Sequence, residues 1–396
     1  MYGTLSKRDL ALETQAQVTI LRPSIHSRRA SLVVKFQDIY GFTVEGNVDD
    51  VNILNEVREN IRQHARVWWA LNNSKGADWY KQTQATSPLK ASLKFSSLVN
   101  AITLKRMIRK GIPPSLRPKV WFAVSGAATK KSTERNNYYN ELLAAAEGKV
   151  TVDTKQIDHD IPRTYPGHPY LDTKEGQASL KRVLVGYSFR NPNVGYCQGL
   201  NYVAALLLLV MKTEEEAFWM LAVLLEDVLA NDCYTSNLSG CHVEQRVFKD
   251  LLIKHCPKLC AHLETLEFDV SIVATEWFLC LFAKSLPSET TLRVWDILFY
   301  EGTNVLFRVA LALFMMKEDE LVLTQNVGDA VNRIHLTTHR LFNPDDILTV
   351  AYDKIGSMAL TNISKQRKKQ ESVVMAELDE RLRRLNSLPR DDKSPR

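Results

Sequence analysis

LNYVAALLLLVMKTEEEAFWMLAVLLEDVL, residues 200–229, decides the fold. Its apolar run from Tyr202 to Met211 is the longest of the chain, and a second runs from Ala217 to Leu225. The polar stretch Lys212 to Glu216 separates them, so neither approaches the roughly 20 residues of a membrane helix. Thr213 followed by Glu216 forms a capping box that starts a new helix. The stretch therefore predicts two helices, 200–211 and 214–229, with no membrane span.

Outward from this pair the helical spacing recurs. It predicts helices at 90–110, 114–126, 135–147 and 175–190, and then at 242–256, 257–266, 273–283, 288–300, 305–316, 328–336 and 344–358. Pro257 suits a first helical position, and Glu289 follows Ser288 in a first turn. No alternating strand follows residue 90, and no repeat of fixed period is present. Hydrophobic residues make up 45% and charged residues 24%, with 16 Gly and 14 Pro in 396 positions. Collagenous, linker-dominated and disordered classes are excluded on that balance. The expected fold is all-α, an array of short helices. The sequence has no G-x-G-x-x-G after a strand, P-loop, G-x-S-x-G elbow, H-E-x-x-H or kinase motif pair.

Residues 1–30 show no sustained periodicity and read as a flexible tail. Residues 31–44, SLVVKFQDIYGFTV, are rich in β-branched and aromatic side chains and read as a short extended segment. Val51, Leu54, Val57, Ile61 and Val67 recur at near-helical spacing within 50–71, and the polar stretch 72–88 reads as a linker with a boundary near Ser87. The expected organisation is a tail (1–30), a separable extension and linker (31–86), the helical domain (87–360) and a basic C-terminal helix and tail (361–396). Val374, Leu378, Leu382 and Leu385 form an apolar stripe in that last segment. It fits a coiled coil, a partner helix, a membrane-surface helix or, the favoured reading, a helix folded back on the domain.

Lys7, Arg8 and Asp9 interrupt any signal-type run at the N-terminus, and six Cys are too few for a disulfide framework. A cytoplasmic protein with reduced thiols is expected. The net charge is +6, but residues 1–30 carry +3 and residues 361–396 carry +4, leaving −1 for the middle. A folded middle that is not basic argues against nucleic acid. The tails read first as solvated, with peripheral contact to anionic intracellular membranes as the alternative. Cys256 and Cys260 lie one helical turn apart near His255 and His262, yet no second Cys pair has zinc-finger spacing. No metal is expected.

Two polar motifs remain. Ile157-x-x-Asp160-x-x-Arg163 reads as a Pro-punctuated loop in which Asp160 partners Arg163, and an Arg so held loses less freedom on meeting a phosphate. By itself it is no more than a surface ion pair. Tyr196-Cys197-Gln198-Gly199 leads into the most apolar helix, placing Gln198 near a helix N-terminus, where partial positive charge gathers. Its amide can orient a water and donate to an anion; alone, it reads equally as a cap.

Together the two motifs resemble the TBC domain of Rab GTPase-activating proteins. Arg109-x-Gly111-Ile112-Pro113 with Leu116, Arg117 and Trp121 is similar to that family's opening block. Trp277-Phe278, Leu286-Pro287 and Arg293-Val294-Trp295-Asp296 with Glu301-Gly302 resemble its later blocks, so the likeness covers roughly residues 105–350. The resemblance implies one large TBC-type domain of two helical lobes. It implies that Arg163 is an arginine finger and Gln198 a glutamine finger, both supplied in trans to a GTP-bound Rab in vesicle traffic. Asp160 orients Arg163 on this reading, and Ile157, Tyr196 and Gly199 support the loops. Tyr196 reads equally as a packed aromatic. Arg117, Trp121, Trp277, Trp295 and Asp296 read as scaffold. The chain is then an activator rather than an enzyme with its own nucleotide site, and GTP and Mg²⁺ belong to the partner. The alternative is a Rab-binding scaffold or effector without catalytic effect.

Overall fold

The computed structural model describes residues 19–20, 34–83 and 95–387. The short β1 (Thr19–Ile20), β2 (Val34–Gln37) and β3 (Thr43–Gly46) form an antiparallel sheet, with Val34 opposite Gly46 and Phe36 opposite Val44. The long helix α1 (Val48–Lys75) follows, then α2 (Phe95–Lys110), α3 (Arg117–Val124), α4 (Ala127–Ser132), α5 (Tyr138–Ala146), α6 (Val152–Asp160) and α7 (Lys174–Arg190). The centre holds α8 (Leu200–Met211), α9 (Glu214–Val223), α10 (Ser239–His255), α11 (Pro257–Thr265) and α12 (Ser271–Leu279). The chain continues through α13 (Ser288–Glu301), α14 (Asn304–Met316), α15 (Glu318–Leu321), α16 (Val327–His339), α17 (Pro344–Thr349) and α18 (Leu360–Ser387). The all-α expectation holds, and no described helix is long and apolar enough to cross a membrane.

The deciding stretch behaves as its sequence demands. Every residue of α8 except Tyr202 is buried, because the helix packs between α7 and α9 and leaves no face for water. At the break, Thr213 Oγ1 accepts from the Glu216 amide at 3.3 Å and so supplies the first half of the capping box. The second helix is shorter than expected: α9 ends at Val223 and passes into a π-helical turn, Leu224–Val228.

The polar stretch 72–88 departs from expectation. Asn72 to Lys75 complete α1, and Trp79–Thr83 is a 3₁₀ turn in which Trp79 and Tyr80 are buried. Polarity misled here because Asn72 is itself buried and accepts from Trp79 Nε1 at 3.1 Å. The expected boundary near Ser87 lies outside the described residues. The described residues before it, 34–83, are packed onto the rest. Trp68 Nε1 donates to the Gly111 carbonyl at 2.9 Å, and Arg340 donates to both Asp50 carboxylate oxygens at 2.9 Å. One continuous apolar core runs from Trp68 to Val374.

Asp38, in the turn between β2 and β3, accepts from Ser288 Oγ at 2.5 Å. Burial pushes its carboxyl from 3.8 up to about 6, against hydrogen bonds from Ser288 and from the Phe42 and Tyr40 amides that favour the charged form. The folded state thus holds this proton more tightly than the unfolded chain does. The stability contributed is complete below about pH 4 and is lost as pH rises through about 6, at about 1.4 kcal/mol per unit separating the two values. Asp38→Asn, which cannot ionise, is expected to gain on the wild type across that window. Urea midpoints taken between about pH 4 and pH 7 check it, and a constant offset between the two proteins refutes it.

At the other end α18 folds back on α10. Arg367 pairs with Glu244 through two bonds of 2.5 and 2.7 Å, and Gln370 donates to Asp250 at 2.6 Å. Of the apolar stripe, Val374 is buried and Leu378 half-buried, whereas Leu382 stands exposed beyond the end of the packed face.

Candidate functional site

The segment before Arg163 is a helix where the motif suggested only a loop. Thr151 and Thr154 cap α6 reciprocally: Thr151 Oγ1 accepts from the Thr154 amide at 3.1 Å, and Thr154 Oγ1 from the Thr151 amide at 2.8 Å. Only Thr154, Ile157 and Asp160 turn inward, so the nine residues are too polar to show an apolar stripe. Pro162 ends the helix in a 3₁₀ turn, Ile161–Arg163.

Asp160 has no exposed side-chain surface and is the centre of the site. Its Oδ1 accepts from Arg163 Nε at 2.9 Å, Arg163 Nη2 at 2.5 Å and Gln156 Nε2 at 3.2 Å, and its Oδ2 accepts from Tyr196 Oη at 2.6 Å. A buried carboxylate is costly unless paired and hydrogen-bonded, and here every bond converges on one residue. The Arg163 side chain keeps 54% of its surface exposed, so one edge of the guanidinium is clamped while the other faces outward. Burial first, and then the bond to Asp160, push the Tyr196 hydroxyl far above its ordinary value, so it remains a donor. Tyr196 is therefore a tie between the two loops.

Gly195 (φ +56) and Gly199 (φ +116) hold backbone conformations that favour glycine. A Cβ on Gly195 falls 2.6 Å from Asp153 Oδ1, which accepts the Tyr196 amide at 3.0 Å. A Cβ on Gly199 falls 3.1 Å from the Leu279 carbonyl. Between the glycines Gln198 is exposed, just before α8. Burial pushes the neighbouring Cys197 thiol up to about 11, which leaves it a poor nucleophile at neutral pH.

Asn201 was not singled out in the sequence, yet it joins the same loops. It is buried in α8, donates to Thr164 Oγ1 at 2.7 Å and accepts from the Gly199 amide at 3.0 Å. Thr164 Oγ1 in turn donates to the Asp160 carbonyl at 2.7 Å. The available signal was a lone Asn in the most apolar helix, where an unpaired amide is costly. Ile157 is fully buried beneath this network.

The residues expected as scaffold lie in the core. Arg117 is fully buried and donates to Glu289 at 2.7 and 2.8 Å, to Asp296 at 3.0 and 3.1 Å and to Tyr40 Oη at 2.5 Å. Asp296 also accepts from Trp121 Nε1 at 2.7 Å and the Ile112 amide at 3.0 Å, and burial pushes its carboxyl up. Trp295 Nε1 donates to the Leu281 carbonyl at 2.9 Å, and Trp277 packs among Phe248, Phe282 and Phe314. Glu289 and Tyr40 were not foreseen. Among the described residues no group of three His, Cys, Asp or Glu is arranged to hold a metal.

Comparison with known proteins follows the same lines. The profile of the Rab-GTPase-TBC domain matches residues 114–322. Human TBC1 domain family member 2A is 36% identical over 285 residues, 72% of this chain and 31% of that protein. The chain thus spans about a third of the length of this curated relative. The crystal structure of the Chlamydomonas flagellar RabGAP TBC domain superposes with a TM-score of 0.68 at 34% identity, covering 81% of this chain and all of that one. The Ypt/Rab-GAP domain of Gyp1p shares the fold, with a TM-score of 0.56 at 21% identity over 74% of this chain and 98% of that one. On its sequence and its fold, the chain belongs to the Rab-GTPase-TBC domain family.

Proposed function

We propose that this protein accelerates GTP hydrolysis by Rab-type small GTPases in vesicle traffic, supplying Arg163 and Gln198 in trans. The observation that carries the reading is the pairing of the two loops. An exposed guanidinium is clamped by the buried Asp160, and the same carboxylate reaches through Tyr196 to the loop that presents an exposed Gln198. Hydrolysis needs negative charge on the γ-phosphoryl group stabilised and a water held in line with the bond that breaks. Arg163, held by one edge, offers its outer N–H groups to the phosphoryl oxygens. Gln198 accepts from the attacking water with its amide oxygen and donates to the phosphoryl group with its nitrogen. The water oxygen bonds to phosphorus as the bond to the β-phosphate oxygen breaks, the water's proton passes to the phosphoryl oxygens, and inorganic phosphate departs while GDP stays bound. Nucleotide and Mg²⁺ stay on the GTPase. The charged ends of the chain suit peripheral contact with anionic membranes, where such GTPases work. Human TBC1 domain family member 2A and the Chlamydomonas RabGAP TBC domain, both similar to this chain, support the reading by family.

The rival is a scaffold that grips GTP-bound Rab without accelerating it. Phosphate release measured across a panel of GTP-loaded Rabs separates the two, and a panel with no accelerated member removes the activator reading. Tyr196→Phe gives a finer check. It removes one hydrogen bond to Asp160, worth about 1–1.5 kcal/mol, and is expected to lower kcat roughly tenfold. Stimulated turnover at saturating GTPase reads the effect; an unchanged rate means the tie does not matter.

A further inference from the structure

The Arg163 loop leaves the site through Tyr165, a non-glycine residue at φ +51. Such a backbone persists only where the surroundings over-determine it, and three neighbours hold it here. Tyr165 Oη donates to the Ala283 carbonyl at 2.6 Å. Its ring meets Tyr202 edge-on at 5.2 Å and Phe42 edge-on at 4.8 Å. Phe42 comes from the turn between β2 and β3, more than a hundred residues earlier in the chain and before the residues matched by the family profile.

The same turn grips the loop a second time. His168 is buried, and its Nδ1 accepts the Tyr170 and Leu171 amides, both at 3.1 Å. That assigns the ring proton to Nε2, which donates to the Tyr40 carbonyl at 2.9 Å. Phe42 packs edge-on against the His168 ring at 4.7 Å. Gly41 sits at φ +92, where a Cβ falls 3.3 Å from His168 Nε2. The turn is itself rigid: Asp38 Oδ1 accepts the Tyr40 and Phe42 amides, both at 2.9 Å, and the Asp38 amide donates to the Phe42 carbonyl at 3.0 Å. Ser288 and Arg117 fix it to the core through Asp38 and Tyr40.

Resting on the activator reading, we propose that the turn 38–42 positions the Arg163 loop, with Phe42 as the positioning residue acting through Tyr165 and His168. The N-terminal extension is then part of the machinery that aims the guanidinium. A displacement of about 1 Å at a reacting group is worth up to a hundredfold in rate. Phe42 touches no bound GTPase on this account, so binding is left alone.

The test uses the full chain and a GTP-loaded Rab that the wild type accelerates. Phe42→Ala is expected to lower kcat roughly ten- to hundredfold while KM for the GTPase stays within about twofold. In an Arg163→Ala background, read under single turnover with excess protein, Phe42→Ala is expected to cause no further loss, because the group it aims is gone. Phe42→Leu, which keeps apolar bulk against Tyr165, is expected to recover part of the rate and replaces Phe42→Ala in every arm if the alanine variant does not fold. Unchanged kcat, a loss confined to KM, or the same fold-loss in both backgrounds overturns the proposal. A wild type that accelerates no Rab, or an Arg163→Ala variant with full activity, overturns the activator reading instead.

Discussion

Arg163→Ala is expected to reduce stimulated GTP hydrolysis roughly 10³-fold or more, equivalent to about 4 kcal/mol of transition-state stabilisation. The variant should fold normally, since more than half of the side chain faces solvent and Asp160 keeps its bonds from Gln156 and Tyr196. Arg163→Lys should recover little, because an ammonium cannot hold Asp160 with two nitrogens and still present a planar edge to phosphate. Gln198→Ala should also cut turnover severely by releasing the water. With GDP-bound Rab, the wild type should bind more tightly when aluminium fluoride mimics the transferring group, as complementarity to the transition state requires. Phosphate-release kinetics and a binding titration with and without fluoride check both statements. Full activity in Arg163→Ala with fluoride-independent binding identifies a passive Rab binder.

The second large effect is on stability. Among the described residues Arg117 is the only cation bonded to both Glu289 and Asp296, and all three side chains are buried. Arg117→Met leaves those two carboxylates facing each other without their cation. Breaking a buried pair from one side costs about 3–5 kcal/mol, a large fraction of the stability of a typical domain. A fall of that size in urea-unfolding free energy is expected; a change under about 1 kcal/mol means that the network is compensated elsewhere. Arg117 also donates to Tyr40 Oη in the turn that holds the Arg163 loop, so stimulated turnover by whatever protein remains folded is expected to fall as well.

What the sequence made legible was long and periodic or short and chemically peculiar. Helices such as α8 and α14 announce themselves because nearly all their side chains are apolar and buried. Asp160 and Arg163 were readable as a pair from spacing alone, since three residues across a helix end bring them together. Helix α6 was not readable, because it packs by one narrow edge and shows the polarity of a loop. The stretch 72–88 failed for a related reason: Asn72 and Trp79 satisfy each other in the interior, and a buried hydrogen bond leaves no trace in hydropathy. Contacts such as Tyr196 with Asp160 and Tyr40 with Arg117 join distant parts of the chain, and no local pattern contains them.

Asp160 also bears on how the protein meets its partner. Because one carboxylate holds both loops through bonds already made in the free chain, little loop entropy remains to be lost on association. Encounter then resembles the docking of two preformed surfaces rather than folding upon contact. The heat-capacity change of association should track the apolar area covered, without the larger signature of a segment that orders as it binds. On the activator reading, Arg163 and Gln198 would arrive at the nucleotide as one preformed unit.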